Sequence, residues 1–303
     1  QIFVVSGAQQ ALDLVARVLL DPGDAVWVEE PGYPGLIGAL LASGAAIVPV
    51  PVDDGGIMVA AGRSIAPAAR MACVSPSHQF PLGVTMSLGR RLALIEWARE
   101  ADAFILEDDY DSEYRYAGRP LAALQGLDAD GRVIYVGTMS KVMFPALRLG
   151  YMVVPEHLVQ SFAAIRRLTD NHPSTLVQPA LAEFIRDGSL TAHIRRMRAL
   201  YAERQALLLE AAARHLGDRL LLRPAEAGMH LVGYLPTGPS ADRDEAIAAR
   251  ARERGVEVTP LAALYQGEPD RNGLLLGYAG LTRGEIENGM RTLAQCFDET
   301  LAA

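Results

Sequence analysis

Lys141 and Arg148 lie seven residues apart, and the pair could place an imine-forming amine beside an anion site. Before them, the apolar run Val133–Val136 predicts a buried strand, and Gly137 begins a polar turn that leads to the lysine. Open α/β sheets bind ligands at the carboxyl ends of their strands. Burial and neighbouring cations lower a lysine's pKa, which makes the neutral amine available as a nucleophile. An ordinary surface lysine is the alternative, and this stretch alone leaves both interpretations open.

A second candidate site lies where the first predicted strand passes directly into a helix, at residues 6–10 (SGAQQ). Free backbone N–H groups at a helix start bind anions, and a glycine there allows the ligand to approach closely. The alternative is an ordinary strand-to-helix turn in which Ser6 or Gly7 lies near the N-cap. The motif by itself is compatible with both.

An acidic cluster follows another predicted strand, with five carboxylates between Glu107 and Glu113. Three interpretations compete for it. The cluster could bind Mg²⁺ or Ca²⁺ through oxygen ligands, or it could be a solvated turn. In the third, Asp108 holds a positively charged ring nitrogen and Tyr110 donates to a ring oxygen.

His78 lies in a loop with two prolines, residues 75–83, which follows a further strand. It could be a catalytic base, or it could be hydrogen-bonded for structure alone. The chain contains neither a P-loop nor a GxGxxG pattern, which disfavours nucleotide and dinucleotide binding.

These motifs gain force together because each falls at the carboxyl end of a predicted strand. An anion-binding turn, an acid with a nearby tyrosine, and a lysine with a nearby arginine are the parts that a pyridoxal phosphate site requires. They would serve as phosphate cradle, partner of the ring nitrogen, and Schiff-base lysine.

The elements that must position these residues alternate between strands and helices, which predicts a mostly parallel sheet covered on both faces. Predicted strands are Ile2–Ser6, Ala25–Glu29, Ala46–Val50, Met71–Ser75, Ala103–Glu107, Val133–Gly137 and Tyr151–Val154. Predicted helices among them include Ala8–Leu20, Pro34–Ser43 and Ser87–Ala101. The fold class is therefore α/β, with a seven-stranded sheet.

Beyond Pro155 the pattern becomes helical and then changes to a smaller α+β unit. The predicted elements there are helices Glu156–Thr169, Thr175–Asp187, Leu190–Leu216, Asp242–Arg254 and Arg283–Thr300, and strands Met229–Leu235 and Leu274–Ala279. We expect a large domain over residues 1–200 and a small C-terminal domain over residues 201–303.

Composition limits the classes of function. A chain of 303 residues that is 50% apolar can bury a large core, and its length suggests about two domains. A net charge of −8 argues against nucleic-acid binding by these residues themselves. Cys73 and Cys296 form no CxxC pair, and neither a membrane-length apolar run nor a signal peptide is present, so we expect a cytoplasmic protein. Because the chain enters a strand at Gln1 without a methionine, we also expect it to be a fragment.

The sequence resembles the fold-type I aminotransferase superfamily, and within it the aminotransferase-like domain of MocR/GabR-type bacterial transcription regulators. The stretches that carry the resemblance are SGAQQALDL (6–14), EEPGYPG (29–35), SPSHQFPLGVTMSLGRRLALIEWA (75–98), EDDYDSEYRY (107–116), IYVGTMSKVMFPALRLGY (134–151) and AGMHLV (227–232). Together they span nearly the whole chain. The resemblance implies pyridoxal 5′-phosphate as cofactor and the fold-type I architecture.

The resemblance also implies a role for each matching residue. Lys141 would form the Schiff base, Asp108 would pair with the pyridinium nitrogen, and Tyr110 would hydrogen-bond the phenolic oxygen of the ring. The remaining cofactor contacts implied are the backbones of Ala8 and Gln9, then Thr138 or Ser140, Arg148, Tyr33 and His78.

Three departures from the enzymes of the superfamily bear on function. Phe80 stands where ordinary aminotransferases place an asparagine, a departure shared with the regulators. Residues 273–281 (GLLLGYAGL) lack the arginine that grips a substrate α-carboxylate. The family's winged-helix DNA-binding domain and the first part of its aminotransferase-like domain are missing from the sequence.

Two functions follow as hypotheses. The first is an effector-sensing, dimerising module that binds an amine or amino acid, with DNA contacted only through the winged-helix domain and no membrane partner. The second is a catalytically active aminotransferase that acts on an amino acid, with Lys141 also as proton shuttle. The missing arginine favours the first. A purely structural module without cofactor is disfavoured by the retained site residues.

Overall fold

Eight strands form the larger of two sheets in the computed structural model, which describes residues 1–118, 122–236 and 243–302. In the order β1-β8-β7-β6-β5-β2-β3-β4 across the sheet, they are β1 (Ile2–Val5), β2 (Ala25–Glu30), β3 (Ala46–Asp53), β4 (Gly56–Ile57), β5 (Met71–Val74), β6 (Phe104–Asp109), β7 (Val133–Thr138) and β8 (Gly150–Val153). All seven predicted strands are present. The short β4 is additional, and β3 runs past its predicted end at Val50 because proline is tolerated near a sheet edge.

Strand direction gathers the candidate residues at one edge of this sheet. The pairs β2/β3, β2/β5, β5/β6 and β6/β7 are parallel, whereas β8 is antiparallel to both β1 and β7. The carboxyl ends of β1, β2, β5, β6 and β7 therefore share one edge. A mostly parallel sheet of this kind binds ligands there.

Helices cover the sheet on both faces, as the uninterrupted apolar strands require. The helices of this part are α1 (Ala8–Leu19), α2 (Pro34–Ala42), α3 (Val59–Ile65), α4 (Leu88–Glu100), α5 (Leu124–Leu127), α6 (Met139–Val142), α7 (Val159–Thr169), α8 (Gln178–Arg186) and α9 (Ser189–His215). Val26 and Val28 of β2 pack with α1, α2 and α7 in one core. Trp27 packs with α3, α4 and α5 in the core on the opposite face, where it stacks on Trp97 with the ring centroids 3.8 Å apart.

The described chain divides into two compact units, and the division falls inside α9 after His193. The segments Pro81–Gly83 and Tyr114–Gly118 group with the second unit. The predicted boundary after residue 200 lies within the same helix.

The second unit is an α+β layer built on a four-stranded antiparallel sheet. Its sheet order is β11-β12-β10-β9, and its elements are β9 (Leu221–Leu222), β10 (His230–Tyr234), α10 (Arg243–Glu253), β11 (Thr259–Pro260), β12 (Gly273–Gly277) and α11 (Arg283–Ala302). Its core includes Leu208, Leu231, Leu274 and Phe297. The predicted first residue of α10, Asp242, lies outside the described residues. Over the described ranges, no helix is both long and apolar enough to cross a membrane.

Candidate functional site

Lys141 lies in α6, a single helical turn that begins directly after β7. Thr138 caps this turn, because its Oγ1 accepts a hydrogen bond from the Ser140 N–H at 3.1 Å. The side chain of Lys141 is exposed. Its charge lowers the pKa of Asp108 on the neighbouring strand β6, so the ammonium and the carboxyl group lie within electrostatic reach of each other.

Asp108 is a buried acid near the end of β6, with 9% of its surface exposed. Burial raises its pKa to about 7, with smaller contributions from Asp109 and Asp111 that the Lys141 charge opposes. Among the described residues its Oδ1 has no hydrogen-bond partner. Native proteins rarely leave such an atom unpaired. A protonated ring nitrogen would supply both the missing donor and the missing positive charge, so this carboxyl group fits the predicted cofactor.

Three aromatic rings contact one another at this edge of the sheet, and one of them, Tyr33, lines a cavity with Asp108. The ring of Phe80 meets the rings of Tyr33 and Tyr110 edge-on, with centroids 5.8 Å and 6.3 Å away. Tyr33 and Asp108 line one small cavity. Burial, with the Asp108 charge, raises the pKa of Tyr33. This arrangement offers flat apolar surface beside the acid.

The predicted anion site is built by Gly7 and Arg148. Gly7 precedes α1 with φ 111° and ψ 168°, a conformation that essentially only glycine adopts. A Cβ atom at this position would lie 3.7 Å from Nη1 of Arg148, so the guanidinium group stands beside the start of α1. Within the described structure, α1 has no side-chain cap. Helix N-terminus and guanidinium together favour a phosphate.

Ala8 and Gln9 form the first turn of α1, so their N–H groups lie where the predicted anion site needs donors. The side chain of Gln9 has its own partners: Nε2 donates to the Gly35 carbonyl at 2.7 Å, and the Tyr33 hydroxyl donates to Oε1 at 3.5 Å. Gln9 thus connects the start of α1 to the turn that precedes α2.

His78 is buried, with Nδ1 2.9 Å from the Tyr110 hydroxyl and 3.0 Å from Oδ2 of Asp111. Of its two predicted interpretations, catalytic base or structural hydrogen bonding, the contacts favour the second. Asp111 was not among the predicted site residues. Because it lies 33 residues from His78 in the sequence, no local pattern indicates the pair.

The acidic cluster separates into residues with different partners. Glu107 accepts from the backbone N–H groups of Leu124 and Gln125, both at 2.9 Å, and Asp109 accepts from the hydroxyls of Ser112 and Tyr135. Within the described residues, no group of three or more His, Cys, Asp or Glu side chains is arranged to hold a metal ion.

Buried polar side chains that the sequence did not single out support the loop that carries His78. The guanidinium group of Arg91 donates to the carbonyls of Pro76, Met86 and Ala122 at 2.7, 3.0 and 3.0 Å. In addition, Oε2 of Glu29 accepts from the Ser75 N–H at 3.0 Å. Buried arginines are visible in a sequence only as charges within an apolar helical face, a weak signal.

All ten predicted site residues lie at the shared carboxyl edge of the large sheet. Ala8 and Gln9 follow β1, Tyr33 follows β2, and His78 follows β5. The others lie around β6, β7 and the start of β8: Asp108, Tyr110, Thr138, Ser140, Lys141 and Arg148. Their individual roles toward a cofactor stay predictions.

The model of the family "Aminotransferase class I and II" matches residues 1–293. The chain belongs to this family. The match covers both units of the structure, and it confirms the predicted superfamily from a comparison independent of the site geometry.

Relatives of this aminotransferase-family chain include transcription regulators. It is 45% identical over 298 residues to the probable rhizopine catabolism regulatory protein MocR of Rhizobium meliloti, covering 98% of this chain and 59% of that protein. The chain thus spans about three fifths of the length of such relatives. This similarity confirms the resemblance to the aminotransferase-like domain of MocR-type regulators.

Solved structures of aminotransferases share the fold. The Pyrococcus horikoshii kynurenine aminotransferase in complex with PMP matches with a TM-score of 0.91 and 32% identity, covering 100% of this chain and 76% of that one. LysN, the α-aminoadipate aminotransferase of Thermus thermophilus, complexed with N-(5′-phosphopyridoxyl)-L-leucine, matches with a TM-score of 0.90 and 30% identity, covering 99% and 78%. The predicted α/β fold-type I architecture is confirmed, as is pyridoxal 5′-phosphate as the family's cofactor.

Proposed function

We propose that the chain is the pyridoxal phosphate-binding, effector-sensing module of a MocR-type transcription regulator. The observation that carries the proposal is the buried Oδ1 of Asp108, which has no partner in the described structure and lies within electrostatic reach of Lys141. A cationic hydrogen-bond donor would offset the free-energy cost of burying this carboxyl group without a partner. The similarity to MocR-type regulators supports assigning that donor to the cofactor of a sensor.

Lys141 is the only lysine in the sequence, since every other basic side chain apart from histidine is an arginine. In the proposed site its amine holds the cofactor covalently, and pyridoxal phosphate, when bound, supplies an electrophilic carbon and an electron sink for amines. Asp108 would accept a hydrogen bond from the ring nitrogen, and Tyr110 would donate one to the phenolic oxygen. Tyr33, which lines a cavity with Asp108, would also contact the cofactor.

Backbone and side-chain donors of two loops would hold the phosphate of the cofactor. Ala8 and Gln9 offer N–H groups at the start of α1, and Arg148 offers its guanidinium group beside Gly7. Ser140 contributes a hydroxyl. The hydroxyl of Thr138 already caps α6, so its contribution is to hold the Lys141 turn in place.

Sensing is favoured over efficient turnover by the last strand of the small sheet. Residues 273–281, which include β12, contain no arginine. A substrate carboxylate therefore lacks the bidentate partner that would hold it through repeated cycles. We infer that an amine or amino-acid effector changes the state of the cofactor without rapid product release.

A catalytically active aminotransferase is the second candidate. Its support is the similarity over nearly the whole chain to solved aminotransferases, together with the lysine, acid and tyrosine already described. In that case Lys141 would also move a proton between the substrate and the cofactor.

The remaining parts of the proposal concern the assembly. We propose a cytoplasmic homodimer that contacts DNA only through a winged-helix domain outside these residues, with residues 1–200 as the cofactor-binding domain and 201–303 as the small domain. Large apolar side chains exposed between residues 168 and 185 favour self-association: Leu168, Leu176 and Ile185. Light scattering should give twice the monomer mass, and Leu176→Glu should reduce it toward the monomer value.

The proposed function is tested by adding pyridoxal phosphate, recording the visible spectrum and reducing with borohydride. Because the chain has one lysine, peptide mass spectrometry should find the reduced adduct on Lys141, and Lys141→Ala should remove it. Lys141→Arg is the charge-matched control. A reduced adduct that persists in Lys141→Ala would contradict the assignment.

A panel of amino acids then separates the two candidates. A spectral change that stops without release of a keto acid supports the sensor. Bleaching with release of one equivalent of keto acid per site, and continued release once a second keto acid is added as amino-group acceptor, supports the aminotransferase instead.

A further inference from the structure

We propose that Asp111 acts through His78 to position the hydroxyl of Tyr110 as a hydrogen-bond donor to the cofactor. This role rests on the proposed cofactor function, and it adds Asp111 to the site as a positioning residue. Neither the sequence motifs nor the family match assigns any role to this carboxylate.

The geometry that supports the proposal is a chain of three polar side chains, of which His78 and Asp111 are buried and Tyr110 is partly buried. The side chains of His78 and Asp111 are each only 1% exposed. Nδ1 of His78 lies 3.0 Å from Oδ2 of Asp111 and 2.9 Å from the Tyr110 hydroxyl, so a single ring nitrogen faces both oxygens. The Tyr110 ring is further held edge-on by Phe80. All three groups are thus fixed by packing.

The contacts also determine where the protons lie. An ionised carboxylate only accepts hydrogen bonds, so Nδ1 of His78 must carry the proton that Asp111 accepts. The Tyr110 oxygen then receives a share of the same N–H, and its own proton remains available for another acceptor. In the opposite tautomer, a nitrogen lone pair would face a carboxylate oxygen at 3.0 Å, which is repulsive.

The surrounding charges keep Tyr110 protonated. Burial raises the pKa of Tyr110 well above its usual value, and four neighbouring acids add to this effect: Asp111, Asp108, Glu29 and Asp109. The Oδ1 atom of Asp111 has no hydrogen-bond partner in the part of the chain described, so the known hydrogen bonding of this carboxylate is directed at His78. The phenolic oxygen of pyridoxal phosphate is an acceptor suited to the remaining proton of Tyr110.

The proposal predicts a coupling that a purely structural role would not produce. If Asp111 orients the Tyr110 donor, its removal matters to the cofactor only while Tyr110 is present. Loss of a donor from the phenolic oxygen also raises the proton affinity of the bound chromophore, so the midpoint of its spectral pH titration should move to higher pH.

The experiment is a double-mutant cycle between Asp111→Asn and Tyr110→Phe in the cofactor-loaded chain. Each single variant should weaken cofactor binding, by roughly tenfold for Tyr110→Phe and by a smaller factor for Asp111→Asn. Both should move the spectral midpoint in the same direction. The double variant should match Tyr110→Phe in both readouts.

Two further variants keep the test decisive. Asp109→Asn makes the same chemical change two residues away, where the carboxylate is bonded to Ser112 and Tyr135, so its effect should depend on Tyr110 much less than that of Asp111→Asn does. If Asp111→Asn fails to fold, His78→Phe combined with Asp111→Leu replaces the buried pair by apolar groups, which is often tolerated. That double replacement should also lose its effect in the Tyr110→Phe background.

Three outcomes are distinguishable. Coupled effects of Asp111→Asn and Tyr110→Phe support the proposal. Independent effects, or no effect of Asp111→Asn on the spectral midpoint, in a chain that binds the cofactor at Lys141 overturn this inference alone. Failure of the unaltered chain to bind the cofactor at Lys141 overturns the proposed function and this inference with it.

Discussion

Glu107 and Asp108 are adjacent residues of β6 that are buried on opposite faces of the sheet. Burial raises the pKa of each to about 7. Both oxygens of Glu107 accept backbone hydrogen bonds at the start of α5, whereas Oδ1 of Asp108 has no partner in the described residues. Two acids with similar proton affinity therefore differ in whether the protein itself satisfies them.

The difference separates a carboxyl group with protein partners from one that we propose is available to a ligand. A buried acceptor without a donor costs about 1–3 kcal/mol of folding free energy, so a protein retains it only where something else supplies the donor. Glu107 stabilises the fold by capping a helix. In the proposed function, Asp108 would lower the stability of the cofactor-free fold and offset that loss when a cation binds.

The largest expected effect is a pH dependence of the free energy of unfolding, to which both acids contribute. Glu29, with a pKa raised to about 8, behaves like Glu107 and Asp108: each binds a proton more tightly folded than unfolded. Between the ordinary carboxyl pKa and these raised values the folded state holds more protons, so the free energy of unfolding should fall as pH rises. Cofactor-free protein should lose several kcal/mol from about pH 5 to about pH 8 in urea titrations. The Glu29→Gln variant should lose less free energy of unfolding over this pH range. If its free energy of unfolding changes with pH as steeply as that of the unaltered protein, the raised pKa of Glu29 is contradicted.

The next effect separates the two acids at the cofactor. Asp108→Asn should weaken pyridoxal phosphate binding roughly 30- to 100-fold, since a charge-assisted hydrogen bond is lost. The same change should leave the cofactor-free protein as stable or more stable, because an unsatisfied buried charge is removed. Spectral titration and thermal unfolding measure the two quantities. A variant destabilised without cofactor would place Asp108 with the structural acids.

The reciprocal change is Glu107→Met, which keeps the volume of the side chain but removes both acceptors. The N–H groups of Leu124 and Gln125 would lose their partners, so the free energy of unfolding should fall by about 2 kcal/mol. Cofactor affinity, measured at a temperature where the variant is folded, should change less than about threefold. A large loss of cofactor affinity would contradict the assignment of a structural role to Glu107.

The smallest expected effects concern the hydroxyls of Thr138, at the end of β7, and Ser140, in the turn that follows. Thr138→Ala removes the cap of α6 and should cost about 1 kcal/mol of stability, which Thr138→Ser should restore. Ser140→Ala should reduce affinity for the cofactor phosphate more than Thr138→Ala does. If the order is reversed, the Thr138 hydroxyl and not that of Ser140 is the phosphate ligand.

The positions of the strands were predictable because each is a run of apolar or β-branched residues between turn signals. Val133–Val136, for example, is recognisable without any knowledge of its neighbours. The location of the site followed from the same logic, since ligand-binding residues cluster where parallel strands end.

The partners of the individual polar groups were not predictable. Glu107, Asp108, Asp109 and Asp111 are alike in type and nearly consecutive in sequence, yet one caps a helix, one has an oxygen without a partner in the described residues, one bonds two hydroxyls and one bonds His78. Apart from the contact of Asp109 with Ser112, three residues along the chain, these partners lie 17 to 33 positions away. Local pattern carries no information about the distant contacts.

The contacts of Arg91 with three carbonyls bear on how the residues of the candidate site can change in evolution. The guanidinium group joins Pro76 and Met86, at the two ends of the loop that carries His78 and Phe80, and so closes the loop at its base. Nearer the tip the loop is bridged by backbone groups, since the Gln79 N–H donates to the Val84 carbonyl at 2.8 Å. Because these contacts use backbone atoms and the Arg91 side chain, side-chain substitutions at the tip can change the chemistry of the proposed site while the loop keeps its path, and one scaffold could then serve both enzymes and sensors.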